Sequence, residues 1–177
     1  MHSTLLDAMT ARAAARFRVA EQLGAALFVT VLTAVAAQIS VPLPFTPVPL
    51  TFQPMVVLVG AAALGSRLGM ASQVLYLALG IAGLPLFAAS PALPQGAARL
   101  LGPTGGYLMS YPIAAFVVGY LAERGFDRRY ATSVLAMFAG LVTAVRTGLV
   151  PFIPADIIKV LLAATLLPAA WRFLRQP

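Results

Sequence analysis

Residues 22–66 read QLGAALFVTVLTAVAAQISVPLPFTPVPLTFQPMVVLVGAAALGS, and this stretch contains no Asp, Glu, Lys or Arg. It is long enough for two membrane-spanning helices, because about 20 mainly apolar residues cross the hydrocarbon core of a bilayer. Prolines between residues 42 and 49 divide it, and each of them lacks a backbone donor and resists helical continuation. The stretch therefore predicts a helix over Val19–Ile39, a proline-rich loop, and a second helix over Gln53–Leu64.

The same apolar character extends over the whole chain. Its 177 residues are 60% hydrophobic and 10% charged, with a mean hydropathy of +0.91. This composition is typical of a membrane protein, and the length suits about six spanning helices. We predict an all-α, multi-pass membrane protein with a single transmembrane substrate-binding domain over residues 1–177. The predicted helices cover Val19–Ile39, Gln53–Leu64, Leu68–Ala82, Tyr107–Ala122, Tyr130–Val145 and Ala155–Phe173.

Between the third and fourth predicted helices, residues 84–106 are rich in Pro and Gly. This segment is apolar enough to enter the membrane but too interrupted to span it. Irregular backbone at such depth is tolerated only where protein covers it or where it lines a cavity. We therefore expect irregular outer loops beside a cavity.

The basic residues predict the orientation, since those close to span ends tend to stay in the cytoplasm. The chain has 12 Lys and Arg against 5 Asp and Glu, a formal net charge of +7. With both termini cytoplasmic, Arg99 and Arg146 lie outside and Lys159 lies in the sixth helix. The remaining nine lie inside: Arg12, Arg16, Arg18, Arg67, Arg124, Arg128, Arg129, Arg172 and Arg175. A basic cytoplasmic face of the protein explains the net charge, so no nucleic-acid partner is needed to account for it.

The residues needed for catalysis are missing from the predicted spans. There is no cysteine, and the single histidine is His2. The turn over residues 102–107 lacks the Lys-Ser/Thr ending of a phosphate-binding loop. A serine nucleophile needs a neighbouring base, and nothing local pairs Ser110 with Lys159. We predict a protein that is not an enzyme, with no cofactor and no metal.

Asp156 and Lys159 follow Pro154 at a spacing of three and so share one helix face. Ionisable residues within spans are costly and usually face a cavity or a partner group. One interpretation is a mutual ion pair near the outer interface. The other is a polar patch in an apolar pocket, where a solute with donors and acceptors binds.

Gln53, Arg99 and Tyr107 are predicted near the same outer face, where they are candidates for contact with a solute. Gln53 at a helix start also suits a cap or an interfacial position. Tyr107 also suits the aromatic belt at a membrane interface.

Small residues recur every four positions on the first predicted helix, at Ala26, Thr30 and Ala34 and beside them at Thr33 and Ala37. Such stripes let another helix approach closely. The partner is either an external subunit, which makes Ala26, Thr30 and Ala34 a docking face, or another helix of this chain.

Motifs in chain order resemble one family. They are PVPLTFQ at residues 47–53, GLPLF at 83–87, GPTGGYL at 102–108 and PFIPADIIK at 151–159. Together they resemble the BioY family, the biotin-specific S component of energy-coupling factor (ECF) vitamin transporters. Relatives usually carry Gly where this chain has Ala155, and the region Leu141–Thr147 is shorter than in the family.

The resemblance implies six helices that capture biotin near the outer face, below the loops after helices 1 and 3. It implies a transmembrane coupling subunit and cytoplasmic ATPases as partners, and the small-residue stripe at Ala26, Thr30 and Ala34 would meet the coupling subunit. It leaves a homo-oligomer open. An alternative is a solitary carrier that needs no ATPases.

The resemblance also assigns roles to individual residues. The family's acidic and basic pair corresponds to Asp156 and Lys159. Asp156 would accept an N–H of the ureido ring of biotin, while Lys159 donates to the ureido carbonyl or orients the aspartate. Arg99 is the candidate for the carboxylate tail.

Overall fold

The computed structural model describes residues 4–6, 15–43, 46–89, 95–101, 104–145, 161, 164–165 and 168. Within them lie five long helices, two short strands and two short 3-10 helices. In chain order they are α1 (Ala15–Gln38), β1 (Ser40–Leu43), β2 (Thr46–Thr51), α2 (Gln53–Leu64), α3 (Ser66–Ile81), a 3-10 helix (Gly96–Leu101), α4 (Gly105–Glu123), a 3-10 helix (Phe126–Arg128) and α5 (Tyr130–Val145).

The first five predicted helices are present, and α2 and α5 have the predicted bounds. The other three begin or end within four residues of the prediction. The predicted sixth helix, Ala155–Phe173, falls almost entirely outside the described residues. Two helical segments are long and apolar enough to cross a membrane, Val19–Gln38 and Gly105–Glu123.

The proline-rich segment after α1 differs from the predicted loop. β1 and β2 pair antiparallel, with Ser40 opposite Thr51 and Leu43 opposite Thr46, and the register is irregular between Val41 and Leu43. In a two-stranded sheet one edge of each strand makes no ladder bonds, so proline is tolerated there and at bulges. The expectation of an all-α chain is corrected by this small sheet.

The exterior of α1 is apolar. Leu23 and Phe28 are 65% and 66% exposed, and Val31 and Val35 are also exposed, whereas Thr33 is fully buried. A contiguous apolar surface of this kind is unusual on a soluble monomer and suits a lipid environment.

The core lies around α2 and α4. α2 is buried on almost every side, and its Val57 and Ala61 belong to one apolar cluster with Tyr111 and Val118 of α4. Close packing ties these helices together at the end where α2 turns into α3. A Cβ at Gly119 of α4 would lie 2.5 Å from the backbone nitrogen of Ser66.

A carboxylate strengthens the same junction. The Oε1 atom of Glu123, the last residue of α4, accepts hydrogen bonds from the backbone N–H of Ser66 at 2.7 Å and from its hydroxyl at 2.9 Å. Ser66 begins α3, so the negative charge lies at the positive end of the α3 dipole. The C-terminus of α4 therefore caps the N-terminus of α3.

We expect Gly119→Ala to destabilise the protein by about 1–3 kcal/mol, as overpacking against an unyielding neighbour does. The added methyl group would meet the backbone of Gly65 and Ser66, which cannot rotate away. Thermal unfolding in detergent measures the effect. The matched control is Gly24→Ala, because a Cβ at Gly24 meets nothing within 4 Å. Equal unfolding temperatures for both variants would contradict the close approach of α4 to this turn.

Candidate functional site

A pocket lies at the end of the helices away from the Glu123–Ser66 contact. It is bounded by the end of β2, the start of α2, the segment after α3, the 3-10 helix and the start of α4. Its empty volume is about 310 Å³, including open space at its mouth. The lining residues are Pro49, Thr51, Gln53, Ala88, Arg99, Thr104, Tyr107 and Leu108.

Arg99 supplies the pocket's positive charge. Its side chain is 1% exposed, and Nη2 donates a hydrogen bond of 2.8 Å to the carbonyl oxygen of Ala88. Burial lowers the pKa of the Arg99 guanidinium, and the nearby Tyr76 opposes that change; arginine nevertheless stays protonated in proteins. Among the described residues that line the pocket, Arg99 carries the only formal charge. This described part of the lining therefore favours an anionic group.

Gln53, which also lines the pocket, is held in a chain of hydrogen bonds. Its Nε2 donates to the hydroxyl of Tyr76 at 2.7 Å, and that hydroxyl donates to the carbonyl oxygen of Leu86 at 3.1 Å. The hydroxyl of Thr51 donates to Gln53 Oε1 at 3.3 Å. Gln53 is 4% exposed, so its side chain does not face solvent.

One aromatic residue, Tyr107, is among the residues that line the pocket, and further aromatic pairs pack nearby. The ring of Tyr107, in the first turn of α4, packs edge-to-face on Tyr111 with centroids 4.9 Å apart. Phe87 packs in the same way on Tyr76 at 5.6 Å. The pocket thus combines apolar surface with a few fixed polar groups, the usual composition of a small-molecule site.

Two glutamines hold the segment after α3 in place. The amide nitrogen of Gln38, at the end of α1, lies 3.3–3.4 Å from the carbonyl oxygens of Pro85, Leu86 and Phe87. Gln95 Nε2 donates to Phe87 at 3.3 Å. This irregular backbone lies beside a cavity, as its composition predicted.

Gln53, Arg99 and Tyr107, the three site residues predicted on the outer side, line this one pocket. Their role as ligand contacts stays a prediction. Asp156 and Lys159 lie outside the described residues. Sequence reasoning did not single out Thr51 or Thr104, although both stand within the quoted motifs.

The predicted docking stripe faces inward. Ala26 is 8% exposed, Thr30 is 1% exposed and Ala34 is partly buried. The Thr30 hydroxyl lies 2.9 Å from the carbonyl oxygen of Ser72 on α3. The structure thus favours packing within the chain, with α3 against Thr30, and a docking role for Ala26, Thr30 and Ala34 stays a prediction.

An apolar exterior beside a pocket lined by both apolar and polar residues is typical of a helical membrane protein that binds a small solute. A sequence model of the BioY family matches residues 8–176. The chain belongs to the BioY family, as its motifs predicted.

Individual relatives agree with this assignment. The chain is 43% identical over 147 residues to a protein of Pyrococcus horikoshii named probable biotin transporter BioY, a match that covers 76% of this chain and 85% of that protein. It is 38% identical over 151 residues to biotin transporter BioY of Thermotoga maritima, a match that covers 76% of this chain and 86% of that protein. These names describe transport and not enzymatic catalysis, which confirms the expectation of a non-enzymatic protein.

The fold is similar to a crystal structure at 2.1 Å described as the S-component for biotin from an ECF-type ABC transporter. The TM-score is 0.74 at 25% sequence identity, and the match covers 90% of this chain and 95% of the other.

We expect Tyr76→Phe to lower the free energy of unfolding by about 1–3 kcal/mol, the usual cost of leaving buried polar groups unsatisfied. The substitution removes the hydroxyl that joins Gln53 to the carbonyl of Leu86. Denaturant titration in detergent measures the loss. Tyr120→Phe is the matched control, since that ring is 40% exposed. A Tyr76→Phe protein as stable as the control would show that the hydroxyl chain contributes little.

Proposed function

We propose that the chain is the membrane-embedded component that captures biotin for uptake, and that partner ATPases supply the energy. The observation that carries this proposal is the pocket in which the buried Arg99 lies with Gln53 and Tyr107, in a chain of the BioY family. The names of the relatives and the description of the similar crystal structure support biotin as the ligand.

The pocket's chemistry suits biotin. The ligand has an anionic carboxylate at one end, a ureido group with two N–H donors and a carbonyl acceptor at the other, and an apolar body between them. Arg99 attracts the carboxylate, and Tyr107 packs against the apolar body. Asp156 and Lys159 take the ureido group in charge-assisted hydrogen bonds, which are stronger than neutral ones.

The orientation in the membrane follows from the two ends of the helices. Exposed Arg67 lies in the first turn of α3 and exposed Arg124 follows α4, at the end opposite the pocket. Basic residues near span ends favour the cytoplasm. We place this end inside, the pocket toward the outside, and the six-helix chain in the cytoplasmic membrane.

A coupling subunit and cytoplasmic ATPases complete the proposal. The motifs quoted from this chain include no phosphate-binding loop, and the similar crystal structure is described as part of an ECF-type ABC transporter. Ligand capture and ATP hydrolysis are then divided between chains.

Equilibrium binding of radiolabelled biotin to the purified protein tests the ligand. We expect saturable binding that weakens by about tenfold or more in Arg99→Gln and in Asp156→Asn, because hydrogen bonds to charged groups contribute about 1.5–3 kcal/mol. Arg67→Gln removes the same charge from the exposed opposite end and should bind like the wild type. Thermal unfolding checks each variant. Absence of binding by folded wild-type protein would refute the assignment to biotin.

Proteoliposomes test the partnership. We expect the chain alone to bind labelled biotin without accumulating it inside, and accumulation to require co-reconstituted coupling and ATPase subunits with ATP. A vesicle that carries the chain alone, with an imposed proton gradient, is the control. Accumulation in that vesicle would replace the proposal with a solitary carrier.

A further inference from the structure

Thr104 has a hydroxyl that the protein leaves unused. The residue is 6% exposed, and its Oγ1 atom is inaccessible to water and makes no hydrogen bond within the described part of the chain. Thr104 also lines the pocket beside Arg99. A buried hydroxyl without a partner is unfavourable, so its retention in a pocket wall indicates a group that arrives with a ligand.

The hydroxyl does not serve its usual structural purpose. Thr104 immediately precedes α4, where a threonine side chain ordinarily accepts a hydrogen bond from the first turn. Here the residue has φ −89° and ψ −7° instead of the extended backbone of a capping residue, and its side chain makes no cap hydrogen bond. Helix capping therefore does not explain the hydroxyl.

The surroundings of this hydroxyl favour an anion. Thr104 lies at the N-terminus of a 19-residue helix, where the peptide dipoles place partial positive charge. Gly105 is packed against the carbonyl of Leu100, a contact that a Cβ would prevent, and this brings the 3-10 helix with Arg99 to the start of α4. Arg99 and Thr104, the residue at the N-terminus of α4, thus line one pocket.

We infer that the Thr104 hydroxyl donates a hydrogen bond to a carboxylate oxygen of the bound ligand, and that Thr104 makes the pocket selective for a free carboxylate over its neutral esters and amides. This inference rests on the proposed function and assigns the tail of biotin to the start of α4. A hydroxyl can either donate or accept, and the positive potential here selects donation to an anion.

Binding of labelled biotin to wild-type, Thr104→Val and Thr104→Ser proteins, with competition by biotin methyl ester, tests the inference. Valine keeps the shape of threonine without the hydroxyl. We expect Thr104→Val to weaken biotin by about tenfold and to change the affinity for the ester by less than about twofold. Thr104→Ser should keep the selectivity, because it keeps the donor. Thr132→Val, in the first turn of α5, makes the same chemical change outside the pocket.

The outcomes separate the two proposals. Equal weakening of biotin and its ester in folded Thr104→Val would overturn the carboxylate contact while leaving biotin as the ligand. Unchanged biotin affinity in that variant would overturn it as well. Failure of the wild-type protein to bind biotin would remove the proposed function and this inference with it.

Discussion

The backbone between α3 and α4 is the constraint on which the pocket depends. This segment is not part of an α-helix, so its carbonyl groups need donors from elsewhere, and near a membrane water is a scarce substitute. Side chains supply them. Gln38 and Gln95 reach the carbonyl of Phe87, Tyr76 reaches that of Leu86, and Arg99 reaches that of Ala88. These donors come from α1, α3 and the segment that ends in the 3-10 helix.

The same donors shape the binding surface. Arg99 can contact a carbonyl and still present charge to the pocket because guanidinium carries five N–H groups in a planar fork. Tyr76 accepts from Gln53 as well as donating to Leu86, so the rotamer of Gln53 is linked to the position of the loop. A pocket whose polar groups are already oriented loses little conformational entropy on binding. Structural hydrogen bonds and ligand selectivity therefore share residues here.

The sequence predicted the helices well because long apolar runs bounded by Pro, Gly and charge leave few alternatives. It did not predict the β1–β2 pairing, because proline suggests a loop. Proline is tolerated on a strand edge that makes no ladder hydrogen bonds, and only the position of the partner strand shows which edge that is. It placed Gln53, Arg99 and Tyr107 on one side by counting spans. The depth of Arg99 and the orphaned hydroxyl of Thr104 depend on packing between segments distant in the chain, which local patterns do not encode.

The stripe on α1 shows the same limit. A spacing of four establishes that Ala26, Thr30 and Ala34 share a face, but it does not identify the neighbour. The contact of Thr30 with Ser72 identifies the neighbouring helix as α3.

The two ends of the helices are held in different ways. At the Glu123 end, Gly119 lies against the backbone of Ser66 and a carboxylate caps α3, so movement would break contacts between main chains. At the pocket end, side-chain amides, a hydroxyl and a guanidinium hold a non-helical segment, and such donors can exchange a carbonyl for a ligand oxygen at little net cost. Ligand-dependent rearrangement is therefore easier beside the pocket than at the basic end. A protein that binds a solute at one end while keeping a fixed surface at the other would need this asymmetry.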